Sequence, residues 1–364
     1  MILIDGVIFQ LQAGNPLGIS RIWQHLIGEM AKSMPWDQVK VLRRAGYPTG
    51  LNGGFEEIEI PAYPLFDMDR DDAMLGSKCA ELQADLFIST YYSRAAGVKN
   101  LLMIYDMIPE VMGMDLSYPE WVAKRRAIEA AERFICISKN TMLDLRKYYH
   151  VDIDDMFLAY CGVDPEVREA SNKEVDDFTE KYGLTQPYFL MMGHRGGYKN
   201  GQAFFNSYAK LANKDKFQVV IAGGGGPSQE ERNCAGNNLV IIGNIPHNSP
   251  ELRAAYSGAL ALIYPSLYEG FGMPVLEAMA CGCVVVANRT SSIPEFAGDI
   301  PIYADISIPE EFERVVEELT RRDLGTRDGL IMRSVFPGMK AAQQFTWYKM
   351  ARTLRQACEV LHVQ

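Results

Sequence analysis

The residues best equipped for chemistry lie in one stretch, Tyr264-Pro-Ser-Leu-Tyr-Glu-Gly-Phe-Gly-Met-Pro-Val-Leu-Glu-Ala-Met-Ala-Cys-Gly282. Its start reads as the end of a strand. Gly270 and Gly272 then make a loop, Pro274 suits a first helical position, and Gly282 stops the helix. Backbone N–H groups at such a junction attract an anion, and the positive end of the helix dipole adds to that attraction. Glu269 in the loop and Glu277 in the helix can both face one ligand. Carboxylates beside an anion-binding helix end are electrostatically odd unless they bind hydroxyls, as a sugar or a ribose offers. A second group, Arg195 and Lys199, stands in Gly193-His-Arg-Gly-Gly-Tyr-Lys-Asn200, directly after an expected strand. Two cations four residues apart can converge on a diphosphate and stabilise the charge that builds on a departing phosphate.

Glu269 and Glu277, with seven residues between them inside Glu-Gly-Phe-Gly-Met-Pro-Val-Leu-Glu-Ala-Met-Ala-Cys-Gly, resemble the signature of the retaining glycosyltransferases of family 4, the group 1 glycosyltransferases. The stretch 193–200 is similar to that family's Arg/Lys diphosphate site. Gly223-Gly224-Gly225 is similar to its glycine loop, and Ser292-Ile-Pro-Glu295 to its next strand-helix junction. More loosely, Tyr105-Asp106-Met-Ile-Pro109, Ile137-Ser138 and Gly162-Val-Asp164 sit where the family has landmarks in the first half.

The resemblance implies an α/β chain of GT-B architecture: two Rossmann-like, doubly wound domains facing across a cleft, with the donor mainly on the second. It implies Glu277 on the nucleotide ribose and Glu269 near the transferred sugar. Backbone groups of Gly270, Phe271, Gly272 and Met273 would meet sugar hydroxyls and phosphates, and Ile245 the base. Arg195 and Lys199 would take the diphosphate. Gly18, at the first strand-loop-helix junction, would offer a further anion contact, and Asp106 would contact the donor sugar or the acceptor. Glu269, Asp106, Arg195 and Lys199 are thus the expected catalytic set. Three positions depart from the family: Leu17 precedes Gly18 in place of a glycine, Tyr105 stands where relatives have His, and Cys283 where they often have Pro. The sugar-holding role of that His is therefore absent or shifted.

The implied reaction moves a sugar from a nucleotide diphosphate sugar (UDP- or GDP-linked) to a hydroxyl of a glycan or lipid-linked acceptor, with retention, in surface polysaccharide assembly. Glu269 is expected on the wrong side of the ring for a nucleophile, so attack would come at the front face, the departing phosphate taking the acceptor's proton. Two other readings stay open: a nucleotide-sugar epimerase on the same fold, or a catalytically silent module that binds a nucleotide sugar. Asp67-Met-Asp69 and Asp152-Ile-Asp154 imitate a metal-binding Asp-x-Asp motif, but both lie in acidic stretches that solvation explains. No metal is expected, nor any cofactor beyond the donor itself.

These residues need parallel sheets to position them, because ligands of such sheets sit in loops at the carboxyl ends of strands. Short β-branched runs alternating with helix-period segments fit that requirement. In the first half, strands are expected over 2–9, 38–42, 86–90, 101–105 and 133–138, with helices over 18–30 and 140–150. The second half has expected strands over 188–192, 218–222, 239–242, 259–264 and 284–287. Its helices are expected over 201–213, 250–257, 274–280 and 309–322. The domains read as 1–164, an acidic linker 165–186, and 187–340. A last helix over 341–364, following Pro337-Gly338, is expected to cross back to the first domain.

At 364 residues, 48% hydrophobic and 23% charged, the chain can bury two cores and is not disordered. A net charge of −10 repels phosphate polymers, so nucleic acid is excluded as a main partner. The short basic groups Arg43-Arg44, Lys124-Arg125-Arg126 and Arg321-Arg322 read as solvated helix faces and leave peripheral membrane contact open. Seven cysteines without a Cys-x-x-Cys pair fit reduced core thiols. The first residues, Met-Ile-Leu-Ile-Asp, lack the basic start of a signal peptide, and no run reaches the roughly 20 apolar residues of a membrane span. A cytoplasmic protein is expected, at the inner face of the membrane if the acceptor is lipid-linked.

Overall fold

The computed structural model describes residues 1–13, 18–51, 53–65, 67–320, 329 and 331–363. Arg321, Arg322 and Leu17 lie outside the described residues. The chain divides into two compact units, Met1–Gly162 with Thr346–Gln364, and Val163–Phe345.

In the first unit the described strands are β1 (Ile2–Asp5), β2 (Val39–Arg44), β3 (Glu56–Ile60), β4 (Leu86–Ser89), β5 (Lys99–Ile104), β6 (Arg133–Cys136) and β7 (Met156–Leu158). They form one parallel sheet in the order β3-β2-β1-β4-β5-β6-β7. All residues of β1 and β4 are buried, as a strand covered on both faces requires. Helix Gly18–Ser33 buries Ile22, Trp23, Leu26, Ile27 and Met30 along one face. The last helix, Trp347–Val363, packs on it, and Arg355 Nη1 donates to the Ser33 carbonyl at 2.9 Å.

The second unit's described strands are β8 (Tyr188–Met192), β9 (Gln218–Ala222), β10 (Leu239–Ile242), β11 (Ala261–Tyr264), β12 (Val285–Ala287) and β13 (Ile302–Tyr303). They run parallel in the order β10-β9-β8-β11-β12-β13. Phe189, Phe204, Phe205, Tyr208, Phe217 and Phe312 fill one side of this sheet. The chain winds from β8 outward to β10, then returns to β11 on β8's other side. The gap between the ends of β8 and β11 is therefore the place where a parallel sheet holds its ligand.

Several expected boundaries are corrected. The strand expected over 2–9 ends at Asp5, and Val7–Leu11 is a short helix. Val7, Ile8 and Phe9 are buried, and a short buried apolar run reads alike in either state. Residues 165–186 are not a linker throughout. Helix Asn172–Tyr182 opens with a capping box of Ser171 and Glu174, ends on left-handed Gly183, and belongs to the second unit. The helix expected over 341–364 is broken: helix Phe336–Ala342 stays in the second unit, and Trp347–Val363 joins the first. Strand β3 escaped notice because its sequence, Glu-Glu-Ile-Glu-Ile, carries three glutamates at a sheet edge.

At the carboxyl ends of β1 and β2, Arg44 is clamped between two carboxylates. Its Nε and Nη2 donate to Asp5 at 2.9 and 2.6 Å, and Nη2 also reaches Asp71 at 2.9 Å. None of the three side chains is more than 2% exposed. Burial opposes the guanidinium charge, but Asp5 and Asp71 outweigh it and hold the Arg44 pKa above its usual value. Arg44→Leu strands two facing buried carboxylates and is expected to destabilise the first unit by about 3–5 kcal/mol. Urea unfolding followed by tryptophan fluorescence checks this; a loss under about 1 kcal/mol, the range of a surface ion pair, contradicts it.

In the second unit, Arg253 Nε donates to Glu174 at 3.0 Å and ties helix Asn172–Tyr182 to helix Pro250–Ser257. That bond, followed by the Ser171 N–H, brings the Glu174 carboxyl from its ordinary 4.5 down to about 2. A carboxyl depressed on folding contributes stability that is present above its unfolded pKa and is lost as the pH falls through the folded one. Between about pH 4.5 and 2, Glu174→Gln should therefore flatten the fall of the second unit's melting temperature. Identical pH profiles for variant and wild type contradict the assignment.

Candidate functional site

Strand β8 delivers residues 193–199 to the gap, and β11 delivers 266–272. Lys199 closes the turn Gly197–Lys199. Its Nζ donates to both Glu269 oxygens, at 2.7 and 2.9 Å, and lies 5.1 and 5.7 Å from the ring centres of Tyr198 and Tyr264. Glu269 is only 5% exposed, so the ammonium compensates a charge that burial would otherwise make costly. The Tyr264 hydroxyl is fully enclosed, and burial, then the Glu269 carboxylate, push its pKa well up.

The Glu269 main chain is pinned from the loop after β12. Its N–H donates to Ser291 Oγ at 2.8 Å, and its carbonyl accepts from Ser292 Oγ at 3.0 Å. Ser292 Oγ also reaches the Phe271 carbonyl at 2.8 Å, and the Phe271 ring stacks on Phe296 at 4.6 Å. Gly272 precedes helix Met273–Ala280 at φ +103°, a conformation that strongly favours glycine. Gly270 is buried with Phe271, whereas Met273 is half-buried at the helix start.

Glu277 lies one turn into that helix and is 5% exposed. Its Oε2 accepts from the Tyr256 hydroxyl at 2.9 Å, and its Oε1 lies 3.8 Å from His247 Nδ1. His247 and half-buried Ile245 share the loop after β10. A buried carboxylate with one oxygen fixed by a tyrosine, beside a helix start, is suited to accept from a pair of ligand hydroxyls.

Arg195 bonds partners different from those of Lys199. Its Nε donates to Glu231 at 2.9 Å, and its terminal nitrogens donate to main-chain carbonyls of 193 and of the loop after β9. Both expected cations are thus engaged by carboxylates of the same unit, Arg195 by Glu231 and Lys199 by Glu269.

The remaining expected residues lie in the first unit. Gly18 begins helix Gly18–Ser33, where the Ser20 N–H donates to Gln12 Oε1 at 3.0 Å. Asp106 follows β5; its Oδ1 accepts from the Ile108 N–H at 2.9 Å and its carbonyl from buried Lys124 at 3.0 Å. Lys124 in turn pairs with Glu110 at 2.7 Å, and Tyr149 donates to the other Glu110 oxygen. Tyr105 is buried, with its hydroxyl accepting from Trp23 Nε1 and donating to the Thr90 carbonyl at 2.6 Å. This is an interior bridge, so Tyr105 packs the first unit's core. Asp67 caps helix Met68–Glu81, Asp152 caps the turn Ile153–Asp155, and Asp69 pairs with Arg126.

Residues 172–320 match the family model described as glycosyl transferases group 1. The second unit belongs to the group 1 glycosyl transferases. The match begins at the first residue of helix Asn172–Tyr182 and takes in Arg195, Lys199, Glu269 and Glu277. Among characterised relatives, Escherichia coli O-antigen chain mannosyltransferase B is 25% identical over 234 residues, which cover 61% of this chain and 58% of that protein. The E. coli serotype-specific mannosyltransferase WbdA is 26% identical over 218 residues, covering 55% of this chain and 26% of WbdA. The matches thus cover from about three fifths down to a quarter of those relatives' own length. The Anabaena protein HepE, solved with UDP and glucose, superposes with a TM-score of 0.74 at 16% identity, over 100% of this chain and 99% of that one. The two Rossmann-like units are those of the GT-B fold.

Within this site the sequence alone does not single out Glu231, Tyr256, His247 or Ser291. Tyr256 meets Glu277, and Ser291 meets Glu269, across 21 and 22 residues of chain. Ser292 is the exception, since it opens the Ser-Ile-Pro-Glu junction.

Proposed function

We propose that the chain transfers a sugar from a nucleotide diphosphate sugar to a hydroxyl of a glycan or lipid-linked acceptor, with retention at the anomeric carbon. The observation that carries this is the pair of buried carboxylates, Glu269 and Glu277, set around one helix start with Lys199 beside them at the reversal of the second sheet. The O-antigen mannosyltransferases among the relatives and the UDP and glucose in HepE support a nucleotide sugar donor and surface polysaccharide as its destination.

In this reading Glu277 accepts from the ribose hydroxyls, and the N–H groups around Gly272 and Met273 face the phosphates. Lys199 leaves Glu269 for the phosphate as the bond from the anomeric carbon to oxygen lengthens, supplying the charge neutralisation that a divalent ion supplies elsewhere. The acceptor oxygen attacks from the same face, its proton passing to the departing phosphate oxygen, and a nucleoside diphosphate leaves. Glu269, freed from Lys199, stabilises the positive charge on the sugar ring. Asp106 is the first unit's candidate for orienting the sugar or the acceptor.

The test is to offer UDP- and GDP-sugars with glycan and lipid-linked acceptors and to read the product's linkage by NMR. The expected product keeps the donor's anomeric configuration. An inverted linkage overturns the mechanism, and a free, altered nucleotide sugar formed without acceptor makes the chain an epimerase.

A further inference from the structure

Arg195 is 6% exposed, and a guanidinium has five N–H groups to place. All five have acceptors within the second unit. Nε reaches Glu231 Oε1 at 2.9 Å. Nη1 reaches the carbonyls of Gly193 and Gly223 at 3.3 and 3.2 Å, and Nη2 those of Gly225 and Gly226 at 3.3 and 3.2 Å. Three of these carbonyls come from one loop, in which Gly223, Gly224 and Gly225 have φ of +68°, +70° and +83°. A Cβ at Gly224 would stand 2.0 Å from the Gly193 oxygen, so the loop rests directly on the turn that carries Arg195.

A planar trans peptide points its carbonyl and the following N–H in opposite directions. Carbonyls of Gly223 and Gly225 turned towards Arg195 therefore turn the N–H groups of Gly224 and Gly226 away from it, and Pro227 has no N–H to place. Outward N–H groups in a loop with left-handed residues can form an anion-binding concavity. Glu231 completes the arrangement. Its second oxygen accepts from the Ser228 N–H at 2.7 Å, its own N–H donates to Ser228 Oγ at 3.1 Å, and its charge balances the buried guanidinium.

We infer that Arg195 and Glu231 are positioning residues for the donor diphosphate: together they hold the glycine loop 223–226 with the N–H groups of Gly224 and Gly226 outward, and the Arg195 guanidinium does not itself touch phosphate. This rests on the donor reading above. It differs in sign from direct contact. If Arg195 bound phosphate, neutralising its competitor Glu231 would tighten diphosphate binding; if the pair is a pin, the same change weakens it.

The experiment uses the full chain, with UDP and GDP titrated calorimetrically into wild type, Glu231→Gln and Arg195→Lys. Both variants are expected to bind the preferred nucleotide at least about tenfold more weakly, the loss typical of a broken charged hydrogen bond. Amide hydrogen exchange over 222–227 should accelerate more than exchange elsewhere in the second unit. Unchanged or tighter binding by Glu231→Gln overturns the inference. Should Glu231→Gln fail to fold, Arg195→Lys decides: unchanged affinity and unchanged exchange overturn it. Should the wild type bind neither nucleotide, the donor reading falls, and the loop's exchange rate still tests the pin, unchanged exchange in both variants refuting it.

Discussion

Lys199→Ala is expected to lower kcat by about 10²–10³-fold and to raise KM for the donor, the loss seen when one preorganised charge donor is removed from a developing anion. The reason lies in the geometry of the free site. Lys199 is only 21% exposed on its side chain and bonds both oxygens of a 7% exposed carboxylate. Removing it takes the cation from the departing phosphate and leaves Glu269 buried without its partner. The double variant Lys199→Ala, Glu269→Gln separates the two effects. It should recover any lost thermal stability, because no unpaired charge remains, without recovering kcat. Steady-state kinetics and melting curves on the three proteins read this out. Recovery of kcat in the double variant contradicts a phosphate role for Lys199.

Glu277→Ala is expected to weaken nucleoside diphosphate binding by about 10–100-fold, because hydrogen bonds to a charged acceptor contribute about 1.5–3 kcal/mol. The carboxylate is prepared for this: Tyr256 fixes Oε2 at 2.9 Å, and Oε1 faces the His247 side of the site. A cycle with a 2′,3′-dideoxy nucleoside diphosphate makes the prediction specific. Removing the ribose hydroxyls should cost wild-type affinity and cost Glu277→Ala almost nothing, since the partner is already gone. Equal losses in both proteins place the ribose elsewhere. Tyr256→Phe, which frees one oxygen and keeps the packing, should weaken binding by less than Glu277→Ala does.

Much of the fold was legible because buried parallel strands such as 188–192 and 218–222 are short apolar runs bounded by polar turns, a pattern that the buried helix Val7–Leu11 also imitates. What escaped was either marginal in length, as in β7 and β13, or masked by charge, as in β3. The acidic stretch before Pro187 read as a linker because polar composition outweighed a period-3.6 face that buries only one residue fully, Phe178. Glu269 and Glu277 were legible because their motif is local: the loop, the helix start and both carboxylates fall within a few turns of chain. Arg195 shows where that logic stops. Its charge and its place after β8 were visible, but the carboxylate and the glycine carbonyls that engage it arrive from 28 to 36 residues further on. Tyr105 is similar, its hydroxyl bridging Trp23 and Thr90 from separate elements.

The most direct test of the donor site is calorimetric titration of UDP, GDP and ADP into the full chain, paired with melting curves at the same ligand concentrations. A ligand that binds only the folded state raises its stability by mass action, about 2.7 kcal/mol at a hundredfold excess over Kd. The expected result is that one of the three binds and raises the melting temperature of the wild type, and that Glu277→Ala loses most of both effects. If none of the three binds the wild type, or if the binding survives Glu277→Ala undiminished, the second unit does not hold a nucleoside diphosphate where Glu269, Glu277 and Lys199 stand.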